Sequence, residues 1–379
     1  MSRFGNLGHR LYTGEVGFDF VGRRKLWVII SGAILVLAVL GLTVRGLNLG
    51  IEFKGGDVYT ISKPGVTVAQ AQKAANDLTH DSSAVVQTAN GVKGQTILIQ
   101  ISSTEKVSAS DGQAALSQSL GLSQNQISTQ YLSASWGHDI SQKAIYGLIA
   151  FMVLVTLYLA FAFEWRLAVA ALVALVHDLV ITVGVYALVG FEVTSGTIIG
   201  FLTILGYSLY DTVVVFDGLK TATNKLTKQN RMTYSDAANA SLNSTLVRSI
   251  NTSVLALLPV ASLLFIGGGL LGAGVLNDIS LALFIGLTAG AYSSICVATP
   301  MVAWLQEKRP EYIELARKVK QRKAADAKAL AEGRTVDEGD SAGNPQDEVA
   351  IPAASTGGPR NQPVNRSRND RRSSGGRRG

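Results

Sequence analysis

Apolar residues gather into six long runs along the chain, at about 26–44, 144–163, 167–189, 196–216, 250–267 and 279–305. Each reaches the ~18 residues from which a helix is long enough to cross a bilayer. The first run follows Arg23, Arg24 and Lys25. It is longer than the roughly 7–15 apolar residues of a secretory signal, and Arg45-Gly46-Leu47 after it does not resemble a cleavage site. It is therefore expected to be an uncleaved anchor. Between the first and second runs, from 45 to 143, the pattern changes. GGDVYTIS, AVVQTAN, QTILIQIS and ISTQYLSAS alternate like strands, while VTVAQAQKAANDLTH and SDGQAALSQSLGL carry helical spacing, the latter with Ser110 or Asp111 as the expected cap.

The order β-α-β-β-α-β is that of a ferredoxin-like α+β domain. The expected fold class is thus a membrane protein, a six-helix transmembrane bundle with this domain inserted between helices 1 and 2. No clustered acid, base or nucleophile marks the domain as catalytic. The expected segments are 1–25, helix 1 at 26–44, the inserted domain at 45–143, helices 2–6 at 144–305 with a loop at 217–249, and a tail at 306–379. The tail opens with a basic helical pattern from Glu307. From about Thr335 it is too rich in Gly, Ser, Pro, Asn and Arg to bury a core and is expected to be largely disordered.

Charge sets the expected orientation. Arg166 separates helices 2 and 3, and Lys220, Lys225, Lys228 and Arg231 separate helices 4 and 5, whereas the short connections 190–195 and 268–277 hold no Lys or Arg. The positive-inside rule then puts both termini in the cytoplasm and the inserted domain outside. The basic end of the tail either reinforces that orientation or is drawn to anionic lipid or ribosomal RNA. It has no base-reading chemistry, so specific nucleic-acid binding is not expected.

Composition removes other chemistries. Hydrophobic residues make up 47% of the 379 and charged ones 16%. The lone cysteine, Cys296, permits no intrachain disulfide, and four histidines without clustered spacing make no zinc site. No phosphate-binding GxxxxGK[ST] occurs. No cofactor is expected, and energy must come from elsewhere.

The residues that do not fit a lipid-facing helix carry the candidate chemistry. Asp211 lies inside the fourth run, where insertion costs about 2.5–3.5 kcal/mol for a central aspartate. Eleven Leu, Ile, Phe and Val residues between 196 and 216 offset that with roughly −5 kcal/mol. Such an acid should face protein or water. Asp217 reads as an interfacial end residue. Arg248 opens helix 5 at a similar depth and either pairs with Asp211 or snorkels to the interface. Asn251, Thr252 and Ser253 favour an inward, hydrated face. His177 and Asp178 fall near the middle of helix 3. About 100° separates neighbours on a helix, so one of the two is expected to face the core, on a proton path or in a hydrogen-bonded pair tying helices together. Gly196 and Gly200 form a GxxxG for close helix approach. Thr203, Ser208 and Thr212 are expected to hold water near Asp211. Gly50, Gly55 and Gly56 form either a hinge or a tight turn.

FDFVGRRKLW, GLNLGIEFKGG, FEWRLAVAALVALVHD, GYSLYDTVVVFD and LNSTLVRSINTS together resemble the SecD and SecF export proteins of bacteria, within the resistance-nodulation-division (RND) superfamily of proton-driven transporters. The resemblance spans about 18–305. It implies half of an RND-type transporter in the bacterial cell membrane, an extracytoplasmic P1-like domain, a SecD partner, and work beside the SecYEG channel and the SecA motor on unfolded preprotein. It ties the positions of Asp211 and Arg248 to proton conduction, with Asp178 as a further inward acid. The proton gradient is the implied energy source, and no enzyme activity is implied. The sequence departs from the family pattern at Glu52, where relatives carry aspartate, and at Asp57, where a small or hydroxyl residue is usual. Two alternatives stand beside this: a proton-coupled small-molecule exporter, and a non-conducting scaffold.

Overall fold

The structure, a computed structural model, describes residues 17–62, 65–79, 84–91, 94–102, 108–270 and 274–332. His80, the first 16 residues and the expected tail from 335 onward lie outside the described residues. Among those described are six helices long and apolar enough to cross a membrane. The first is α1 (Arg24–Val44), followed by a short strand β1 (Asn48–Leu49) and a single turn α2 (Ile51–Lys54).

The inserted domain then runs β2 (Gly56–Ile61), α3 (Val68–Thr79), β3 (Val85–Gly91), β4 (Gly94–Ser102), α4 (Ala109–Leu120) and β5 (Ile127–Leu132). The sheet is antiparallel in the order β3-β4-β2-β5. Alternate residues Tyr59, Ile61, Ile97, Ile99, Ile101 and Ile127 line one face and pack on Ala71, Ala74 and Ala75 of α3 and Leu116 of α4. The α4 cap falls earlier than expected. Ser108 is extended and its hydroxyl accepts from Asp111 N, so Asp111 is a first-turn residue rather than the cap.

The bundle continues with α5 (Ala134–Ala162), α6 (Trp165–Val189), a short strand β6 (Glu192–Val193), α7 (Ser195–Thr223) and α8 (Tyr234–Ser262), which runs on as a π-helical stretch, Leu263–Leu270. Then come α9 (Gly274–Ser293), a π turn at Ser294–Ala298, α10 (Thr299–Gln306) and α11 (Pro310–Ala331). Helices α6, α7 and α9 form the centre, and α1, α5 and α8 lie around them. Small residues set the spacing of α7 and α9. A Cβ on Gly200 would sit 2.7 Å from Ala282 Cβ, and one on Gly286 only 2.2 Å from Ile204. Gly200, Ile204 and Ser208 thus face Ala282, Gly286 and Gly290 along a seam of four-residue steps.

Two expected boundaries change. Helix α8 begins at Tyr234, not near 250, and α7 runs to Thr223, so most of the supposed loop 217–249 is helical. Its start is a capping box of Thr233 and Asp236. Its polar first turns are used by the chain end before α1: Asn243 and Asn239 accept from the backbone N–H of Phe18 and Phe20 at 2.8 and 2.9 Å. The start of the tail is helical, as its basic pattern from Glu307 predicts, and it docks. Residues 310–331 form a helix whose Leu315 and Val319 bury in the cluster that contains Leu226 and Tyr234. A basic helix with an apolar stripe has a face to dock, which composition alone conceals.

Candidate functional site

Asp178 is fully buried in the bundle centre. Its Oδ2 accepts from Ser208 Oγ of α7 at 2.5 Å and from Ser293 Oγ of α9 at 2.7 Å. His177 Nδ1 lies 3.2 Å from Oδ1. Both members of the pair face protein, contrary to the expectation that only one does. The His177 side chain turns back on Asp178, and its ring stacks on Tyr292 at 6.1 Å. His177 Nε2 is buried with no hydrogen-bond partner among the described residues. Tyr292 meets Ser31 of α1 at 2.8 Å.

Asp211 is half-buried on α7. Ser249 Oγ donates to its two oxygens at 2.8 and 3.0 Å, and Ser294 Oγ donates to Oδ2. The acid opens on a cavity of about 120 Å³ lined in part by Tyr207, Tyr210, Thr252, Ser253 and Gly290. That volume is large enough for water.

The other expected members distribute differently. Arg248 is exposed and makes no ion pair with Asp211 among the described residues; its neighbour Ser249 is the group that reaches the acid. Ser208 serves Asp178 rather than Asp211. Thr212 is buried one residue beyond Asp211, its hydroxyl without a partner among the described residues. Thr203 is exposed and caps its own helix carbonyl at Ile199, and Asn251 is exposed on α8. Asp217 is exposed, as an end residue should be. Ser249, Ser293 and Ser294 were not singled out from the sequence. Serine is common inside membrane helices, and only a position opposite an acid distinguishes these three.

A second acidic cluster gathers at the other end of α7. The two-residue strands β1 and β6 pair in parallel, Asn48 with Glu192 and Leu49 with Val193. Glu52 accepts from Ser195 N at 2.6 Å, a carboxylate at a helix N-terminus, where the exposed N–H groups and dipole favour it. The family departure at this position therefore retains its acid. Asp278 Oδ2 accepts from Thr194 Oγ1 at 2.9 Å. Glu192 accepts from Gln87 of the inserted domain at 3.2 Å. Burial, then Asp278, pushes the Glu192 carboxyl above the usual range; Lys54 opposes the shift and Glu52 adds to it. Of the three candidate hinge glycines, Gly55 and Gly56 have φ of 76° and 149°, which L side chains rarely adopt. Gly50 is pinned: its N–H donates to Val193 O at 2.9 Å, and a Cβ would meet Glu192 at 3.0 Å.

Comparison with known proteins fits this geometry. The model of "Protein export membrane protein SecD/SecF, C-terminal" matches residues 113–308, and that of "SecD/SecF GG Motif" matches 40–62. The chain is 53% identical to protein translocase subunit SecF of Streptomyces coelicolor over the full length of both. The chain belongs to the SecF family of protein translocase subunits. It is also 38% identical to SecF of Mycobacterium tuberculosis, over 92% of this chain and 82% of that one. Among solved structures, it resembles SecDF of Thermus thermophilus, a translocon-associated membrane protein, with a TM-score of 0.63 and 28% identity over 77% of this chain. The chain spans only 39% of that SecDF chain. With its six apolar helices, this SecF family member is a multi-pass membrane protein.

Proposed function

We propose that this chain is the SecF half of a SecD–SecF pair that uses proton flow through the bundle to promote preprotein translocation. The observation that carries the reading is Asp211: an ionisable group at membrane depth, held by two serines beside a water-sized cavity. Intramembrane acids in such settings mark ion or proton paths. A membrane potential supplies about 2.3 kcal/mol per charge per 100 mV. That biases a two-state domain by more than tenfold, enough to rectify movement of an emerging chain. The inserted domain is the moving part on this reading, outside the cell, with both termini cytoplasmic. No bond in a substrate is made or broken, no cofactor is used, and the proton gradient is the energy source. The remainder of a SecDF chain is supplied here by a separate SecD-like subunit, alongside the SecYEG channel, SecA and unfolded preprotein. Lipid headgroups meet the basic tail.

Asp211→Asn keeps the size of the side chain and removes its titration. In inverted membrane vesicles with an imposed proton gradient, the gradient-stimulated part of translocation should fall at least about tenfold, while assembly with the partner is retained. An undiminished gradient-stimulated rate would remove Asp211 as the proton carrier. It would favour a scaffold role, and Asp178 would be the next residue to test.

A further inference from the structure

The two acids of the bundle stand on different helices, yet both are reached from a single place on a third. Ser293 Oγ donates to Asp178 Oδ2, and the very next residue, Ser294, donates through Oγ to Asp211 Oδ2. Neighbouring residues on a helix point about 100° apart. One helix can therefore serve two acids only by running in the angle between the helices that bear them. Gly290 permits this approach, since a Cβ there would lie 3.2 Å from Ser208 Cβ. Ser208 and Asp211 share one face of α7, three residues apart.

Two further observations make this pair more than a fixed clamp. Each serine hydroxyl has a second acceptor on its own helix: Gly290 O for Ser293 and Ala291 O for Ser294, each at 3.3 Å. Each hydroxyl therefore has two seats, one on the acid and one on a carbonyl. The regular helix also stops between the two. Ser293 ends α9, and Ser294 opens the π turn, where Thr299 Oγ1 donates to Ser294 O at 3.1 Å. Single π turns within helices recur at functional sites, and the extra residue they hold allows a change of register.

We propose that Ser293 and Ser294 are the positioning pair through which Asp178 and Asp211 sense each other's protonation. This deepens the proton-driven reading and rests on it. An ionised Asp211 accepts only, and Ser294 must donate to it. When Asp211 takes a proton from hydronium in its cavity, leaving water, its new O–H donates to Ser294 Oγ, and the serine O–H turns to Ala291 O. The carboxylate charge is lost and no bond between heavy atoms changes. The Ser294 hydroxyl then donates to its own helix and accepts from the acid, the π turn shifts register with that reversal, and Ser293 moves relative to Asp178.

The test uses full-length variants Ser293→Ala, Ser294→Ala and Ser294→Thr in native inverted vesicles, with Asp211→Asn as reference. Each alanine variant should move the pH midpoint of gradient-driven translocation by about one unit, and Ser294→Thr should restore the profile toward wild type. Infrared difference spectra of the purified complex give an independent readout. The carbonyl band that disappears in Asp178→Asn should respond to titration of Asp211 in the wild type and cease to do so in Ser294→Ala. If an alanine variant does not insert, Ser294→Cys replaces it, because a thiol is a weak donor of similar size. Wild-type profiles and spectra in the serine variants, with Asp211→Asn still defective, would overturn the pair and leave the proton-driven reading intact. A fully active Asp211→Asn would overturn that reading and the pair's role with it.

Discussion

At the scale of single residues, the site is built from hydroxyls around acids, with the cation held apart. Arg248 is exposed beside Ser249, the residue that bonds Asp211. If the arginine approaches the acid in only one state of the working cycle, Arg248→Met removes the charge that discriminates the states. Gradient-stimulated translocation in vesicles should then fall to near the Asp211→Asn level. Arg248→Lys keeps a charge without the planar fork and should lose less, by a few-fold. Equal rates in all three proteins would assign Arg248 to the interface alone. Asp211 and Asp178 were visible in the sequence because charge inside an apolar run is costly and so stands out; Arg248 drew notice only as the cation that precedes such a run, and it stands apart from Asp211 here. The serines were not, because a hydroxyl satisfied by its own helix costs little and leaves no mark in the pattern. Only the fold turns Ser249, Ser293 and Ser294 toward carboxylates.

At the scale of elements, among the described residues the apolar runs located the six long apolar helices, and alternation located the four strands of the β3-β4-β2-β5 sheet. The start of α8 was missed because its first turns are polar, their partners being the Phe18–Phe20 backbone rather than water. The β1–β6 pair was missed because two-residue strands have no period. The α7–α9 seam gives a direct test of packing. Gly286→Ala drives a methyl group into Ile204 and should cost about 1–3 kcal/mol, read as a lower thermal midpoint in detergent. Gly147→Ala meets nothing within 4 Å and should be neutral or slightly stabilising. The β1–β6 strap should depend on pH. The native Glu192 carboxyl is raised above its ordinary 4.5 by burial and Asp278. The paired state thus binds a proton that the released state does not. Pairing strengthens as pH falls through the raised value and weakens as pH rises past it. Hydrogen-exchange protection at Leu49, corrected for the intrinsic rate, should decline as pH rises above the ordinary glutamate value, and Glu192→Gln should flatten the decline. The same strap bears on the hinge candidates: Gly50 is held by it, which leaves Gly55 and Gly56 to be tested as the pivot. A cross-link from this loop to β2 should impair export if they are the pivot, and unchanged export would leave them a tight turn.

At the scale of the whole molecule, the question is which outer helix meets protein and which meets lipid. All three outer helices are poorly covered, but α8 least: 6% of its apolar window is buried, against 56% for α6. The exposed sides of α1 and α5 are apolar, with Val28, Ile29, Val36, Leu154, Leu157 and Phe161 facing out. Lipid satisfies them. The exposed side of α8 is mixed: Leu255 and Leu258 share it with Arg248, Asn251 and Thr252, and the Asp211 cavity is lined by Thr252 and Ser253 of the same helix. Polar groups at membrane depth are expensive against hydrocarbon and are normally covered by protein or water. The α8 face is therefore the one that a SecD-like subunit should cover, closing the cavity from the side. The chain's only cysteine, Cys296, is buried. In a Cys296→Ala background, a cysteine at Leu255 should cross-link to the partner in native membranes, and one at Leu154 on α5 should label with a lipid-phase reagent instead. The reverse result would place the partner on α5 and leave Arg248, Asn251 and Thr252 to a water-filled groove.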